Sequence, residues 1–191
     1  IKKAMSLNAG FFPATDENLY QFGKIMIESC KHVDLFGVWF NLQEEFFIKE
    51  FSPSAQCTLL EYLEPYRFQR KPWSKALTDK KVLVVHPFKE SILSQFTKRE
   101  KLFKNQDVLP NCQLTVIKAV QSNAGAVCQF NSWFDALDYM TNESLKIDFD
   151  IAIIGCGSYG LPLSARLKKA GKKVIHLAGA TQLLFGIRGA R

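Results

Sequence analysis

The segment Ile153-Ile154-Gly155-Cys156-Gly157-Ser158-Tyr159-Gly160 decides the fold, because it joins an apolar β-branched run to a Gly-x-Gly-x-x-Gly turn. A strand is predicted over residues 149–154 and a helix over residues 161–170. Glycines in this context form a tight turn and let backbone N–H groups approach a phosphate at the helix N-terminus. The segment therefore predicts a phosphate-binding strand-turn-helix unit with these candidate contacts: Gly155, Gly157, Ser158, Tyr159 and Gly160.

Strands and helices alternate along the rest of the chain. An N-cap at Thr15 opens a helix, and further helices are predicted over 44–50, 92–103 and 133–145. The predicted strands are almost continuously apolar and cover 34–40, 57–60, 81–86, 113–118 and 173–177. This alternation predicts an α/β, Rossmann-like, three-layer domain with a mostly parallel sheet. We expect residues 1–191 to form a single domain within a longer chain.

Parallel sheets bind ligands outside the carboxyl ends of their strands. By this rule His86 and Lys89 follow one predicted strand, and Thr181 with Gln182 follows another, so all four are candidate nucleotide contacts. His86 could donate to a phosphate or act as a base, and Glu64 could act as a general base. A structural histidine and a surface glutamate are the alternatives, so no catalytic residue is assigned beyond these two candidates.

Two observations argue against a full NAD or FAD site at the glycine turn. The next strand should end in Asp or Glu to hold a ribose, and here it ends in His176-Leu177-Ala178-Gly179. The fingerprint strand also normally opens its domain, whereas this one lies near the end of the chain. Another type of nucleotide or phosphate site, and a glycine turn needed only for close packing, both stay open.

Charge and cysteine usage restrict the partners. The formal net charge is +7, and no Asp or Glu follows Ile151, which indicates an anionic ligand or a solvated basic face. The five cysteines form no Cys-x-x-Cys pair, so we expect buried free thiols in a reducing compartment. No apolar run approaches the roughly 20 residues that span a bilayer.

Two further patterns lead to structural expectations. Asp148-Phe149-Asp150 resembles a metal-binding Asp-x-Asp pair, but it precedes its strand and belongs at the opposite edge of the sheet, so no metal ligand is assigned. The chain contains sixteen phenylalanines, and we expect the aromatic pairs Phe11-Phe12, Trp39-Phe40 and Phe46-Phe47 to be core residues.

Six blocks of the sequence together resemble bacterial proteins with a GT-D-type glycosyltransferase domain, often encoded in surface-polysaccharide loci. The resemblance extends over most of the chain and is strongest from Lys81 to Gly189. The last two blocks are the most specific. The blocks are Glu64-Pro65-Tyr66, Pro72-Trp73-Ser74, Val84-Val85-His86-Pro87-Phe88, Ser132-Trp133-Phe134-Asp135-Ala136-Leu137, Ile154-Gly155-Cys156-Gly157-Ser158-Tyr159-Gly160-Leu161-Pro162-Leu163 and His176-Leu177-Ala178-Gly179-Ala180-Thr181-Gln182-Leu183-Leu184-Phe185-Gly186.

The resemblance implies a transferase that moves a sugar from a nucleotide-sugar, commonly UDP-linked, to a glycan or glycoprotein acceptor. It also implies a divalent metal, Mn²⁺ or Mg²⁺, and a cytoplasmic location, with peripheral contact at the inner face of the membrane as an option. The acidic motif that such proteins carry near the N-terminus is absent from this sequence. The alternatives are a nicotinamide- or flavin-binding oxidoreductase domain and a non-catalytic nucleotide-binding scaffold. Nucleic-acid binding is not expected, since no recognised motif accompanies the basic charge.

Overall fold

The computed structural model describes residues 1–68, 70–122 and 128–189. Strands and helices alternate as the sequence predicts, and the chain is an α/β protein. The helices are α1 (Lys2–Ala9), α2 (Asp16–Cys30), α3 (Glu44–Phe51), α4 (Lys89–Phe96), α5 (Trp133–Leu145), α6 (Gly160–Lys169) and α7 (Ala180–Leu184). The strands are β1 (Leu35–Val38), β2 (Gln56–Leu59), β3 (Lys81–His86), β4 (Gln113–Lys118), β5 (Ile151–Ile154) and β6 (Lys173–His176).

The main sheet has four parallel strands in the order β4-β3-β5-β6. The chain leaves β3 through α4 to reach β4 on one side, and leaves β5 through α6 to reach β6 on the other. These two connections diverge, so the carboxyl ends of β3 and β5 border a topological switch point. In open parallel sheets, ligands bind in the crevice at such a point.

Helices cover both faces of this sheet. Alternate residues of β3 and β5 point to opposite faces, as the period of two in a strand requires. Leu83 and Ile154 pack with residues of α5 and α6 in one buried cluster. Val84 and Ile153 pack with α4 and α7 in the other. β3 and β5 are therefore buried on both sides, which explains their near-continuous apolar sequence.

The remaining two strands form a separate parallel pair, so the strands of the described chain make two sheets rather than one. Leu35 to Val38 pairs with Gln56 to Leu59, and α3 connects them. A Cβ on Gly37 would lie 2.7 Å from Leu63 Cδ1, which shows how closely the segment after β2 covers β1. This small β-α-β unit has one helix and buries little apolar surface: Ile48 is the buried residue of α3.

Three predictions about these elements need correction. The helix predicted over 92–103 begins at Lys89 and ends at Phe96, and a 3₁₀ turn follows. The Thr97 hydroxyl donates to the Ser94 carbonyl, and this side-chain bond favours the end of a helix over its continuation. The expectation of buried thiols holds for Cys156 alone, because Cys57 is exposed and the other three are half-buried: Cys30, Cys112 and Cys128.

The third correction concerns the aromatic pairs. Phe11 is fully buried as predicted, but Trp39, Phe40, Phe46 and Phe47 are 46–80% exposed. They lie on the β1–α3 part of the small sheet, where too few layers exist to cover them. The prediction assumed that apolar residues of a compact chain reach its core, which is only a one-way rule.

Asp148 and Asp150 lie at the amino edge of the main sheet, as the sequence predicts. The Lys81 backbone N–H donates to Asp150 Oδ2 at 2.8 Å, and the Lys81 ammonium pairs with Asp148 at 2.5 Å. Both carboxylates therefore stabilise the start of β3. Of the helices in the described part of the chain, none has the length and apolar content needed to cross a bilayer.

Candidate functional site

A crevice of about 80 Å³ lies at the switch point between β3 and β5. Its walls come from the ends of three strands and from the N-terminal segment. The lining residues are Asn8, Ala9, Gly10, Pro87, Val120, Gln121, Ser122, Cys156, Gly157, Ser158 and Tyr159. A water molecule takes about 30 Å³, so the space suits a phosphate-sized group and is smaller than pockets for whole drug-sized ligands.

Two of the three motif glycines are required by packing. A Cβ on Gly155 would lie 2.5 Å from Thr181 Oγ1 and 2.7 Å from the Ala178 carbonyl oxygen. A Cβ on Gly160 would lie 2.1 Å from His176 Nε2. These glycines let the end of β5 and the start of α6 approach the segment around β6, which is the packing role expected of glycine in this turn.

Gly157 differs from its two neighbours in the motif. Its φ is +60°, in the left-handed region, and a Cβ built on it meets nothing within 4 Å. The backbone N–H groups of Gly157 and Ser158 donate to no atom among the described residues. These two N–H groups can donate to an anion at the N-terminal end of α6, where the helix dipole favours negative charge.

The N-terminal segment closes one side of the crevice. The Ser158 hydroxyl donates to the Ala9 carbonyl at 2.6 Å, and the Ser122 hydroxyl donates to the Gly10 carbonyl at 2.6 Å. Phe11, which follows directly, is fully buried, with its ring centroid 5.6 Å from that of Trp133. The wall is thus bonded to the glycine turn and anchored in the core.

The side chains of the glycine turn serve the fold. The Tyr159 ring stacks on Trp133 with 5.0 Å between centroids, and its hydroxyl lies 2.9 Å from Ser122 Oγ. Trp133 Nε1 donates to Ser158 Oγ at 3.0 Å. Burial raises the pKa of the Tyr159 phenol to about 12, and that of the Cys156 thiol to about 12. This turn can therefore offer its backbone to a ligand, while its thiol is a poor nucleophile.

His86 ends β3 and is almost fully buried. The Phe88 backbone N–H donates to His86 Nδ1 at 3.1 Å, so the neutral ring carries its proton on Nε2. Burial lowers the pKa of His86 to about 4, which keeps the ring neutral at pH 7. The geometry favours a hydrogen-bond donor over a general base at Nε2.

The other predicted contacts are distributed more widely. Lys89 is the first residue of α4 and forms no ion pair with any described residue, so its charge can serve a ligand near the same strand end. Thr181 is fully buried behind Gly155, with Oγ1 3.4 Å from the Ile154 carbonyl oxygen. The Gln182 backbone carbonyl accepts from the Ile187 N–H, and Gln182 does not line the crevice.

Glu64 lies elsewhere. It follows β2 of the small sheet and forms an ion pair with Arg67. It is not part of the lining of the crevice. The structure therefore separates the two candidate catalytic residues: His86 ends β3 of the main sheet, and Glu64 follows the 3₁₀ helix Leu60–Leu63 beyond β2 of the small sheet.

The described residues do not fit a divalent metal on their own. Within residues 1–68, 70–122 and 128–189, no three His, Cys, Asp or Glu side chains lie together as metal ligands do. The crevice lining holds no carboxylate, and Mg²⁺ and Mn²⁺ prefer carboxylate and other oxygen ligands. A metal here would depend on ligand phosphates and on groups outside the lining.

Sequence reasoning missed the wall formed by Asn8, Ala9 and Gly10, and the part played by Trp133. Gly10, with φ +66°, is the residue that ends α1, and a glycine there is a recognisable helix-stop signal. That signal locates the end of a helix but says nothing about what the helix contacts.

Comparisons with protein-family models, with curated proteins and with solved structures found no match to this chain.

Proposed function

We propose that this domain binds the diphosphate of a nucleotide-sugar in the switch-point crevice and takes part in glycosyl transfer. One observation carries the proposal. The turn after β3, with His86 and Lys89, and the glycine turn after β5 flank the same switch point, and the second turn lines the crevice. Anionic ligands are commonly bound at such a point, and the sequence resemblance suggests the donor class.

The proposed contacts with the phosphates follow from the free donors of the site. The N–H groups of Gly157 and Ser158 would donate to one phosphate at the N-terminal end of α6. The Lys89 ammonium, at the start of α4 and outside the lining of the crevice, would approach from the neighbouring strand end. His86 is buried and does not line the crevice, so its Nε2–H would reach a phosphate only if the ring became exposed. A volume of about 80 Å³ holds a phosphate group, so the rest of the donor would extend beyond the crevice.

The chemistry needs stabilisation of the leaving group above all. The bond between the anomeric carbon and the phosphate oxygen breaks, and a bond forms from that carbon to an acceptor hydroxyl oxygen, whose proton goes to a base. Negative charge grows on the departing diphosphate, and fixed N–H donors with a cation stabilise it. The donor would commonly be a UDP-sugar and the acceptor a glycan or glycoprotein, at the cytoplasmic side of a bacterial membrane. No residue here is assigned as the base.

The oxidoreductase alternative has weaker support. In the β5-α6-β6 unit the second strand ends at His176, and the turn after it contains no carboxylate for a ribose. A non-catalytic nucleotide-binding scaffold would share the same phosphate contacts and lack only the transfer step.

The test is a thermal-shift panel with UDP, GDP, CMP, UDP-sugars and NADH, each with and without Mn²⁺. A ligand at ten times its Kd adds about 1.4 kcal/mol to the free energy of unfolding, a shift of a few degrees. We expect a shift with one nucleoside diphosphate family. A shift with NADH alone would replace the proposal with redox chemistry, and no shift with any nucleotide would refute it.

A pair of glycine variants makes the test specific. Gly157→Ala places a methyl group in the open space of the crevice. Gly171→Ala is the control, because it places a methyl group in equally open surroundings after α6, outside the crevice and at a φ of +80°. Both variants bear similar backbone strain, about 1 kcal/mol. We expect only Gly157→Ala to weaken nucleotide binding, by at least about tenfold. Equal affinities of the two variants would remove the glycine turn from the site.

A further inference from the structure

A cluster of large apolar side chains lies exposed around the start of α3. It consists of Trp39 (71% exposed), Phe40 (80%), Leu42 (95%), Phe46 (59%) and Phe47 (46%), and is called here the aromatic surface. Five such residues within nine positions differ from isolated exposed apolar residues, which are normal on protein surfaces. Exposed apolar residues grouped in this way are typical of interaction sites.

The aromatic surface is held in a fixed conformation. The backbone N–H groups of Trp39 and Asn41 donate to the Glu44 carboxylate at 2.9 and 3.0 Å. Phe40 and Gln43 adopt left-handed backbone conformations, with φ of 58° and 66°, which are unfavourable for residues other than glycine. The hydrogen bonds to Glu44 hold this loop in one conformation with its apolar side chains exposed. Such preorganisation lowers the entropy lost on association.

The area agrees with what a dimer needs. A large aromatic side chain presents roughly 150–250 Å², so the exposed fractions sum to on the order of 600 Å² on one molecule. A two-fold contact between two such surfaces would bury on the order of 1,200 Å², at the lower end for stable protein interfaces.

The local charges also favour self-association. On α3 the exposed Glu45 and Lys49 pair at 2.5 Å, and the Glu44 carboxylate is engaged by backbone N–H groups. The excess positive charge of the chain lies elsewhere, in the acid-free stretch after Ile151. An aromatic surface without a basic cluster fits a second neutral surface better than an anionic bilayer, which attracts Lys and Arg clusters.

We propose that the aromatic surface is the interface of a symmetric homodimer, in which Leu42 and the α3 aromatics of one copy pack against those of the other. The two copies would present the same residues to each other, as a two-fold contact requires. This inference is independent of nucleotide binding, because the surface belongs to the β1–β2 unit and shares no residue with the crevice.

The test is sedimentation equilibrium of the wild-type chain and of three variants, from nanomolar to hundreds of micromolar. We expect a wild-type dimer whose dissociation constant rises by at least about tenfold in Leu42→Asp and in Phe46→Glu. Tyr20→Glu is the control, because Tyr20 is 69% exposed on α2, outside the aromatic surface. The dissociation constant of the Tyr20→Glu dimer should equal that of the wild type. Circular dichroism melting confirms folding, which Leu42→Asp should preserve at an almost fully exposed position.

Three results would overturn the inference. A wild-type chain that stays monomeric throughout this range has no such interface. A dimer that is equally stable in Leu42→Asp, Phe46→Glu and Tyr20→Glu uses another surface. A monomer that binds vesicles of phosphatidylethanolamine and phosphatidylglycerol, and loses that binding in Leu42→Asp, would assign the aromatic surface to a bilayer instead.

Discussion

Replacing Gly160 by alanine tests the packing reason for the third motif glycine. The new Cβ would lie 2.1, 2.6 and 2.8 Å from the Nε2, Cδ2 and Cε1 atoms of His176, so the outer edge of the ring must move. The Nε2 atom is shielded from solvent and has no partner among the described residues, so it has no bond to hold it in place. Overpacking of this kind costs about 1–3 kcal/mol.

Urea denaturation measures that loss, with a corresponding fall in melting temperature of roughly 2–4 °C for each kcal/mol in a chain of this length. Gly23→Ala is the control, because a Cβ there meets nothing within 4 Å in the middle of α2, and alanine should stabilise the helix by up to about 1 kcal/mol. The two substitutions are chemically identical, so their opposite signs would isolate the contact with His176.

A double-mutant cycle with His176→Ala completes the test. The shortened side chain provides the space that the Gly160→Ala methyl group needs, so the double variant should be more stable than the two single losses predict, by about 0.5–3 kcal/mol. Additive losses, or a Gly160→Ala variant as stable as Gly23→Ala, would refute the explanation of this glycine.

The pKa of His86 is lowered from 6.5 to about 4, so on acidification the unfolded chain takes up the proton before the folded chain does. As the pH falls from 6.5 to 4, the free energy of unfolding should therefore decrease by on the order of 3 kcal/mol. His86→Asn keeps an acceptor for the Phe88 N–H and should reduce this pH dependence, as measured by urea denaturation. The pH dependence that remains is due to His176, whose pKa is also lowered to about 4. An unaltered pH dependence would contradict a buried neutral His86. Ser158→Ala leaves the Trp133 indole N–H without its acceptor and should destabilise the chain by about 1–3 kcal/mol, whereas unchanged stability would show that these bonds contribute nothing.

The sequence predicts the centre of the main sheet well because β3 and β5 are buried on both faces. The predicted strand 81–86 and helix 133–145 agree with β3 and α5 at both ends, and β5 and β6 differ by one or two residues. Burial on both sides demands apolar, often β-branched residues throughout a strand, a pattern that a single sequence displays directly. The division into two sheets is not visible locally, because it depends on which distant strands pair.

The candidate site was predictable only in part, for a similar reason. The glycine turn and the strand ends follow from local patterns, and topology brings His86 and Gly157 to one switch point. The roles of Gly155 and Gly160 depend on the neighbours Thr181 and His176, which only the folded chain brings close. Trp39 and Phe40 were predicted to be core residues and are exposed, because hydrophobicity alone does not reveal how many layers cover a strand pair.

The wall of the crevice has a consequence for the newly synthesised chain. The bond from Ser158 to the Ala9 carbonyl joins residues 149 positions apart, and the Ser122 bond to Gly10 spans 112. Residues 8–10 can therefore complete the wall of the crevice only after Ser158 has been synthesised. Contacts of such separation form late, because loop closure loses entropy before the contact compensates for it. Ligand binding in the crevice would then distinguish molecules whose wall is complete from partly folded molecules that have formed the sheet but not the wall.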